Sequence, residues 1–480
     1  MAQLAAVLGA LAAPLVLATA RRETVFAGLG TLAAAVGLLA ASSDGVSSPA
    51  RAGLGALGLV VASAGAVLFV RYPGVVPVAV LAAAPFRLPL DFGAEHRFYV
   101  ALARGGQAGR LLPLYAVLAA ATLALAYRLV RGAEAKPLPR ELAWPLAAFA
   151  SYAALSVLWA EAEAPAVHLL QYFLLPFVAL VAVVAYAPVE AWLPRVLAIV
   201  AVVLASLFAV VGLVEEATQR LIFYTPAVEI GNAYSSFFRV TSLFRDPSLY
   251  GRHVVLGLAV VVVLLWARRL GIALAVVIGG VLFAGLFFSY SQSSLTALFA
   301  VLVAVAVLAG DRLVRVAAVG VAVVLVASGA AFVGSRVASA STERITSDRS
   351  RRIELTARVI RDHPLVGVGL GSQPRASQRL SERGGPPALY VSHTTPLTVA
   401  AELGVIGLVL YLLVLAGEGL ALVRLRRLDR WLALTLAAVL LGLFVHSLSY
   451  SGFFEDPLTW LVFGLTGAFL AARRDHGAAT

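Results

Sequence analysis

Apolar residues in this chain neither alternate nor recur at a helical period; they come in unbroken runs. A helix that crosses a bilayer needs about 20 such residues, because it rises roughly 1.5 Å per residue through a hydrocarbon core of about 30 Å. Runs of that kind lie near 3–20, 24–42, 52–70, 73–88, 111–130, 142–160, 165–187, 193–214, 253–268, 270–289, 294–310, 313–333, 396–422, 430–449 and 457–472. The fourth is short and holds Pro77, Pro85 and Arg87, as a re-entrant segment would. The pattern predicts an all-α polytopic integral membrane protein with about 14–15 transmembrane helices, residues 1–480 forming a single membrane domain.

Composition supports this. Hydrophobic residues make up 61% of the 480 and charged ones 13%, whereas a soluble fold needs a polar exterior. Cysteine is absent, which excludes disulfides and thiolate metal sites. Nothing basic precedes the first apolar run, and Arg21 and Arg22 follow it, so it reads as a span and not as a cleavable signal peptide. The net charge of +12 is almost wholly arginine, Lys136 being the one lysine. Arginine is the better bidentate partner for phosphate, though genomic composition gives the same bias.

Short basic loops stay in the cytoplasm. Arg21/Arg22, Arg128 to Arg140, Arg268/Arg269, Arg312/Arg315, Arg424 to Arg430 and Arg473/Arg474 share one side if the spans alternate. The opposite side carries 160–164, 290–293 and 450–456, which hold no lysine or arginine. The C-terminus is therefore expected inside. Two connections on the outer side are too long and polar to be turns, a first outer loop at 215–252 and a large basic outer loop at 334–395. The second has ten arginines against five acids, Glu343, Asp348, Glu354, Asp362 and Glu382. It is either a solvated, internally paired surface or a site for an anion; the arginine surplus favours the anion.

The first outer loop ends in Arg239, Arg245, Asp246, Pro247, Ser248, Tyr250, Arg252 and His253, at the mouth of an apolar run. Pro247 suits a first turn, and Asp246 or Ser248 suits the cap. Free N–H groups beside arginine would hold a phosphate; an interfacial helix start with snorkelling arginines has the same spacing. In the second loop an amphipathic helix runs from Ser347 to His363 and stops at Pro364. It places Arg351 and Arg358 on one face with Arg352 beside them, and Glu354 with Arg358 as an i,i+4 pair. Gly367, Gly369 and Gly371 then make a flexible turn whose free N–H groups suit a phosphate. No strand precedes them, so they are not a dinucleotide fingerprint. His393 stands at the next span's boundary, either to take a proton from a hydroxyl or merely to cap the helix. Glu402 lies about two turns into that span, where an acid is costly and is functional or paired. Glu455 and Asp456 sit on the same side, paired by default with the arginines above, while His168 and His446 read as packed. No cluster has metal-ligand spacing.

In order and spacing these segments resemble the O-antigen ligase and polymerase family of bacterial envelope glycan assembly, over about residues 140–410. The likeness rests first on Arg239 with Phe244-Arg245-Asp246-Pro247-Ser248, and on the Ser289-to-Leu295 start of a span. It continues in the helix ending Asp362-His363-Pro364, the three glycines, and His393 before Glu402-Leu403-Gly404. Gln292 stands where many relatives carry arginine, with Arg245 or Arg252 as its substitute, and Thr394 stands where asparagine is usual. The resemblance implies a GT-C-like fold in the bacterial inner membrane with its site facing the periplasm. The implied partners are an undecaprenyl-diphosphate-linked glycan, an acceptor glycan or lipid, and membrane lipids, with neither soluble cofactor, metal nor nucleic acid. His393 would be the catalytic base; Arg239, Arg245, Arg252, Arg351 and Arg352 would hold the diphosphate, with Asp246, Tyr250 and Glu402 also in the substrate site. Ligase and polymerase share this donor and differ in the acceptor. A transporter or flippase of lipid-linked or anionic substrates is the alternative; it would want charges at the membrane midplane, whereas here they crowd one surface.

Because the chain lacks cysteine, introduced single cysteines report topology directly. Ser341→Cys and Ser381→Cys should react with an impermeant thiol reagent in intact cells, and Ala135→Cys only after permeabilisation. The reverse labelling would overturn the orientation.

Overall fold

A computed structural model describes residues 1–42, 48–86, 111–134, 138–223, 226–244, 246–320, 323, 349–381 and 384–478. Arg87, Ala135, Lys136, Arg245, Ser341, Glu343, Ser347, Asp348 and Glu382, named above, lie outside them. Among the described residues every regular element is a helix, and nine helices are long and apolar enough to cross a membrane. This is the architecture of a polytopic membrane protein. Three more apolar runs form shorter helices, Ala2–Leu17, Ile272–Phe288 and Pro457–Arg473. The run at 313–333 falls mostly outside the described residues. Gly55–Arg71 and Pro73–Ala83 make one bent pair, turning through 110°. Val76–Ala83 has 8 residues, about 12 Å of rise, so it does not cross by itself. The count of 14–15 therefore contracts to nine by length, with the remaining runs short, bent or undescribed.

Two cores hold the helices together. In one, Leu175–Ala185 is buried almost all round and packs against Pro457–Ala478, whose Trp460 and Phe463 are fully enclosed. The other gathers Leu193–Thr218, Pro247–Trp266, Ile272–Phe288 and Gln292–Ala309 around Phe208, Phe244, Tyr250 and Leu282. The Tyr250 hydroxyl fills the space beside Gly212 and Gly285, where a Cβ would come within 2.5 and 2.6 Å of it. Small residues thus let three helices close on one ring.

The helix Thr395–Leu428 has 34 residues and would measure about 51 Å if straight. It breaks at Gly404, whose φ of 65° and ψ of −166° are non-helical. Residues 364–373 cross the break and take up the carbonyls and amides it releases. Val405 N–H donates to Pro364 O at 2.8 Å, Val368 N–H to Ala401 O at 3.0 Å, and Gly369 N–H to Glu402 O at 2.8 Å. On the far side Glu161 N–H donates to Val368 O at 3.1 Å, and Leu370 N–H to Ser156 Oγ at 3.1 Å. Gly367, Gly369 and Gly371 have φ of 70°, 88° and 71°, a region that costs other residues about 1–2 kcal/mol each. A Cβ on Gly367 would strike the Glu402 backbone, and one on Gly369 the Ala160 backbone. The expected flexible turn with free N–H groups is therefore corrected. Gly367 N–H is bonded to His363 O at 3.2 Å and Gly369 N–H to Glu402 O, so the turn is a staple.

Gly369→Ala should destabilise the detergent-solubilised protein by about 1–3 kcal/mol, read as a lower Tm. Gly384→Ala, at an exposed glycine with nothing within 4 Å of its Cβ position, should leave it unchanged. Equal melting of the two variants would reject the staple.

Candidate functional site

The first long connection is organised by Glu215, fully buried near the end of Leu193–Thr218. Its carboxylate accepts from the backbone N–H groups of Ile222 at 2.8 Å, Thr241 at 2.8 Å and Ser242 at 2.7 Å. Ile222, Thr241 and Ser242 are thereby all brought to the end of that helix. Asn232 then clamps Arg239, its Oδ1 accepting from Arg239 N–H at 2.9 Å and its Nδ2 donating to Arg239 O at 3.1 Å. The half-buried Arg239 side chain donates from Nε to Ser289 O at 3.3 Å. Burial lowers its pKa, and the neighbouring Asp246 opposes that shift. Asp246 is the cap of Pro247–Trp266, its Oδ1 accepting from Ser248 N–H at 2.7 Å and Leu249 N–H at 3.0 Å. Those first-turn donors, expected to be open to a phosphate, are taken.

The second long connection supplies the helix Arg349–Asp362. Arg351 donates from Nη2 to Ser381 Oγ at 3.1 Å. Arg352 Nη1 donates to His393 Nε2 at 2.5 Å, which fixes that ring nitrogen as an acceptor and the imidazole as neutral. His393 has a φ of 57°, an uncommon left-handed conformation of the kind that clusters at functional sites. The cap of the following helix is Thr394, so His393 does not cap it. The His393 pKa is lowered, first by burial and then by the cationic Arg352 and Arg349, with Asp246 opposing. The start of Pro247–Trp266 reaches His393 through His446, whose Nε2 lies 3.1 Å from Ser248 O, and Tyr450, whose ring lies 5.5 Å from that of His446 and 6.3 Å from that of His393.

Gln373, fully buried, ties the second connection together. Its N–H donates to Glu402 Oε1 at 3.3 Å. Its Nε2 reaches Thr356 Oγ1 at 3.1 Å, Ser377 Oγ at 2.8 Å and Tyr390 O at 3.0 Å, while its Oε1 accepts from Ser392 N–H at 3.2 Å. Thr356 in turn donates to Arg352 O at 2.7 Å. One amide thus ties the helix carrying Arg352 to the segment carrying His393. Glu402, in the expected substrate set, is the buried anchor of this arrangement, and it lines a cavity of about 90 Å³ with Thr395 and Glu455.

Other expected residues lie elsewhere. Arg252 Nη2 pairs with Asp456 Oδ2 at 2.5 Å, the two side chains 3% and 0% exposed; its guanidinium is enclosed within the bundle. Tyr250 is wholly in the core. His446 is packed as expected, with Nε2 at 3.1 Å from Ser248 O and 3.2 Å from Ser293 Oγ. Its ring lies 5.5 Å from that of Tyr450, which lies 6.3 Å from that of His393. Arg358 pairs with Glu354, and Arg379 with Glu161. No group of three His, Asp or Glu side chains suited to a metal gathers among the described residues. Sequence reasoning missed Glu215, Asn232 and Gln373. An acid ending an apolar run was a usable signal for Glu215; the two amides carried none.

Removing one partner of a buried ion pair costs about 3–5 kcal/mol, whereas an apolar replacement of both is often neutral. Arg252→Met should therefore destabilise the protein strongly, and adding Asp456→Leu should restore most of the Tm. A double variant that melts as low as Arg252→Met would reject a purely structural role for the pair.

A family model described as O-antigen ligase matches residues 279–412. The matched segment carries Arg351, Arg352, Gln373, His393 and the break at Gly404, and excludes Arg239 and Asp246. No curated protein matches the chain. Over residues 279–412 the chain is thus similar to the O-antigen ligase family.

Proposed function

We propose that this protein transfers a glycan from an undecaprenyl-diphosphate donor to an acceptor hydroxyl at the outer face of the bacterial inner membrane, in the manner of an O-antigen ligase or polymerase. The observation that best supports this is the bond of Arg352 to His393 on one connection, with the Asp246-capped helix start of the other joined to His393 through His446 and Tyr450. A diphosphate seated between Arg239 and Arg352 gains charge-assisted, bidentate hydrogen bonds. Arg351, on the same helix as Arg352, adds to the cationic surround.

Arg352 occupies His393 Nε2 before substrate arrives. A dianionic phosphate competes for that guanidinium and frees the nitrogen. His393 then accepts the proton of the acceptor hydroxyl, whose oxygen attacks the anomeric carbon. The bond from that carbon to the diphosphate oxygen breaks, inverting the centre, and the departing charge is stabilised by arginine.

General-base assistance is worth about 100- to 10,000-fold, so His393→Ala should slow release of lipid diphosphate by that range. Asparagine tolerates the left-handed backbone; His393→Asn should keep the fold and be equally slow. Near-normal transfer by it would leave His393 a structural residue. Since burial and two arginines lower the His393 pKa, wild-type activity should persist below the ordinary histidine value of about 6.5. Asp246→Asn, which keeps a capping side chain and removes the anion that opposes the shift, should move the acid limb lower still. An acid limb at or above about 6.5 in the wild type would contradict this assignment of the base.

A further inference from the structure

The first connection encloses a second, larger hollow that this mechanism does not use. It measures about 530 Å³ and is lined by Gln219, Arg220, Leu221, Glu229, Asn232 and Phe238, with Ala233. Pockets for small ligands run from about 300 to 1,000 Å³. The 90 Å³ cavity beside Glu402 has room for only a few waters at about 30 Å³ each. Resting on the transfer reading above, we propose that the 530 Å³ groove is a glycan-binding subsite, taking the neutral, polyhydroxylated part of the substrate whose diphosphate Arg239 holds.

The lining argues for that chemistry. Arg220 brings a planar guanidinium whose paired N–H donors match neighbouring sugar hydroxyls, beside the accepting Glu229 carboxylate and Gln219 Oε1. Arg220 and Glu229 cancel in charge, so the groove lacks the cationic excess that Arg239, Arg349 and Arg352 give the phosphate position. A lipid tail would have to strip water from those polar groups and return no hydrogen bonds. Phe238 offers an apolar wall for the C–H face of a sugar ring. Location supports the same reading. Asn232 lines the groove and clamps the Arg239 backbone, and Phe238 immediately precedes Arg239. A glycan in the groove is therefore contiguous with a phosphate on that arginine.

Three probes test this on the purified full-length protein: the lipid-diphosphate glycan extracted from the source cells, the glycan freed from it by mild acid, and glycan-free undecaprenyl diphosphate. Arg220→Ala and Phe238→Ala should each weaken binding of the freed glycan about tenfold or more and leave binding of undecaprenyl diphosphate unchanged. Tyr234→Ser, at a 90% exposed side chain outside the lining, should alter neither. In turnover the groove variants should raise the donor KM and largely preserve kcat; a raised acceptor KM with the donor KM unchanged would overturn the assignment to the donor's glycan. Wild type that fails to bind the freed glycan, or groove variants that bind it as wild type does, would overturn the subsite. If wild type releases no lipid diphosphate, the transfer reading falls, while the freed-glycan arm still decides the groove.

Discussion

The crossing of residues 364–373 through the break at Gly404 sets the position of everything chemical on the second connection. A membrane helix has no spare backbone donors or acceptors in its interior, so a break inside it must be repaired by other polar groups. Here the repair comes from a distant segment, through Val368, Gly369 and Val405. That segment leads out of the helix bearing Arg352 and into Gln373. Any shift of the staple along the broken helix would therefore move Arg352 and His393 together. The three positive-φ glycines follow from close packing on both sides of this segment: a Cβ on Gly367 would meet the Glu402 backbone, one on Gly369 that of Ala160 and one on Gly371 that of Pro165.

The electrostatics depend on that placement. His393 is half-buried beside Arg352 and Arg349, which lower its pKa, with Asp246 opposing them. An imidazole so placed stays neutral, and neutrality lets it accept from Arg352 now or from a hydroxyl later. The same arginines that suit a diphosphate thus keep the proposed base unprotonated. One set of charges serves both halves of the proposed reaction.

Much of the architecture was legible because a bilayer imposes one length on every span, and unbroken apolar runs report it. The amphipathic helix ending at Pro364, the Asp246 cap with Pro247 behind it, and the Glu354–Arg358 pair were also local in sequence, and the structure has them. What stayed hidden was non-local. Arg252 looked like a phosphate ligand because its partner, Asp456, lies far along the chain, just before the helix Pro457–Ala478. Tyr250 looked interfacial because its neighbours in sequence are polar, whereas its neighbours in space are Gly212 and Gly285. The glycines looked free because the carbonyls they bond to belong to a break that periodicity does not reveal. Gln373 gave no signal, since a neutral amide in a polar loop is ordinary until its five partners are seen.

The clamps around the site share a chemical character. Glu215, Asn232, Asp246 and Gln373 act mainly through backbone N–H and C=O groups. Backbone-directed bonds fix where a residue's Cα sits and leave its side chain at liberty. Arg239 is held by its own amide and carbonyl, and the Arg352 helix through Thr356. Their guanidinium groups can then change partners without disturbing the fold. An ion pair such as Arg252–Asp456 does the opposite, committing both side chains to structure. Where the chain needs rigidity it uses buried pairs and glycine crossings. At the proposed diphosphate position it fixes the backbone and leaves the charges exchangeable, as a site must if Arg352 is to pass from His393 to a phosphate and back in every turnover.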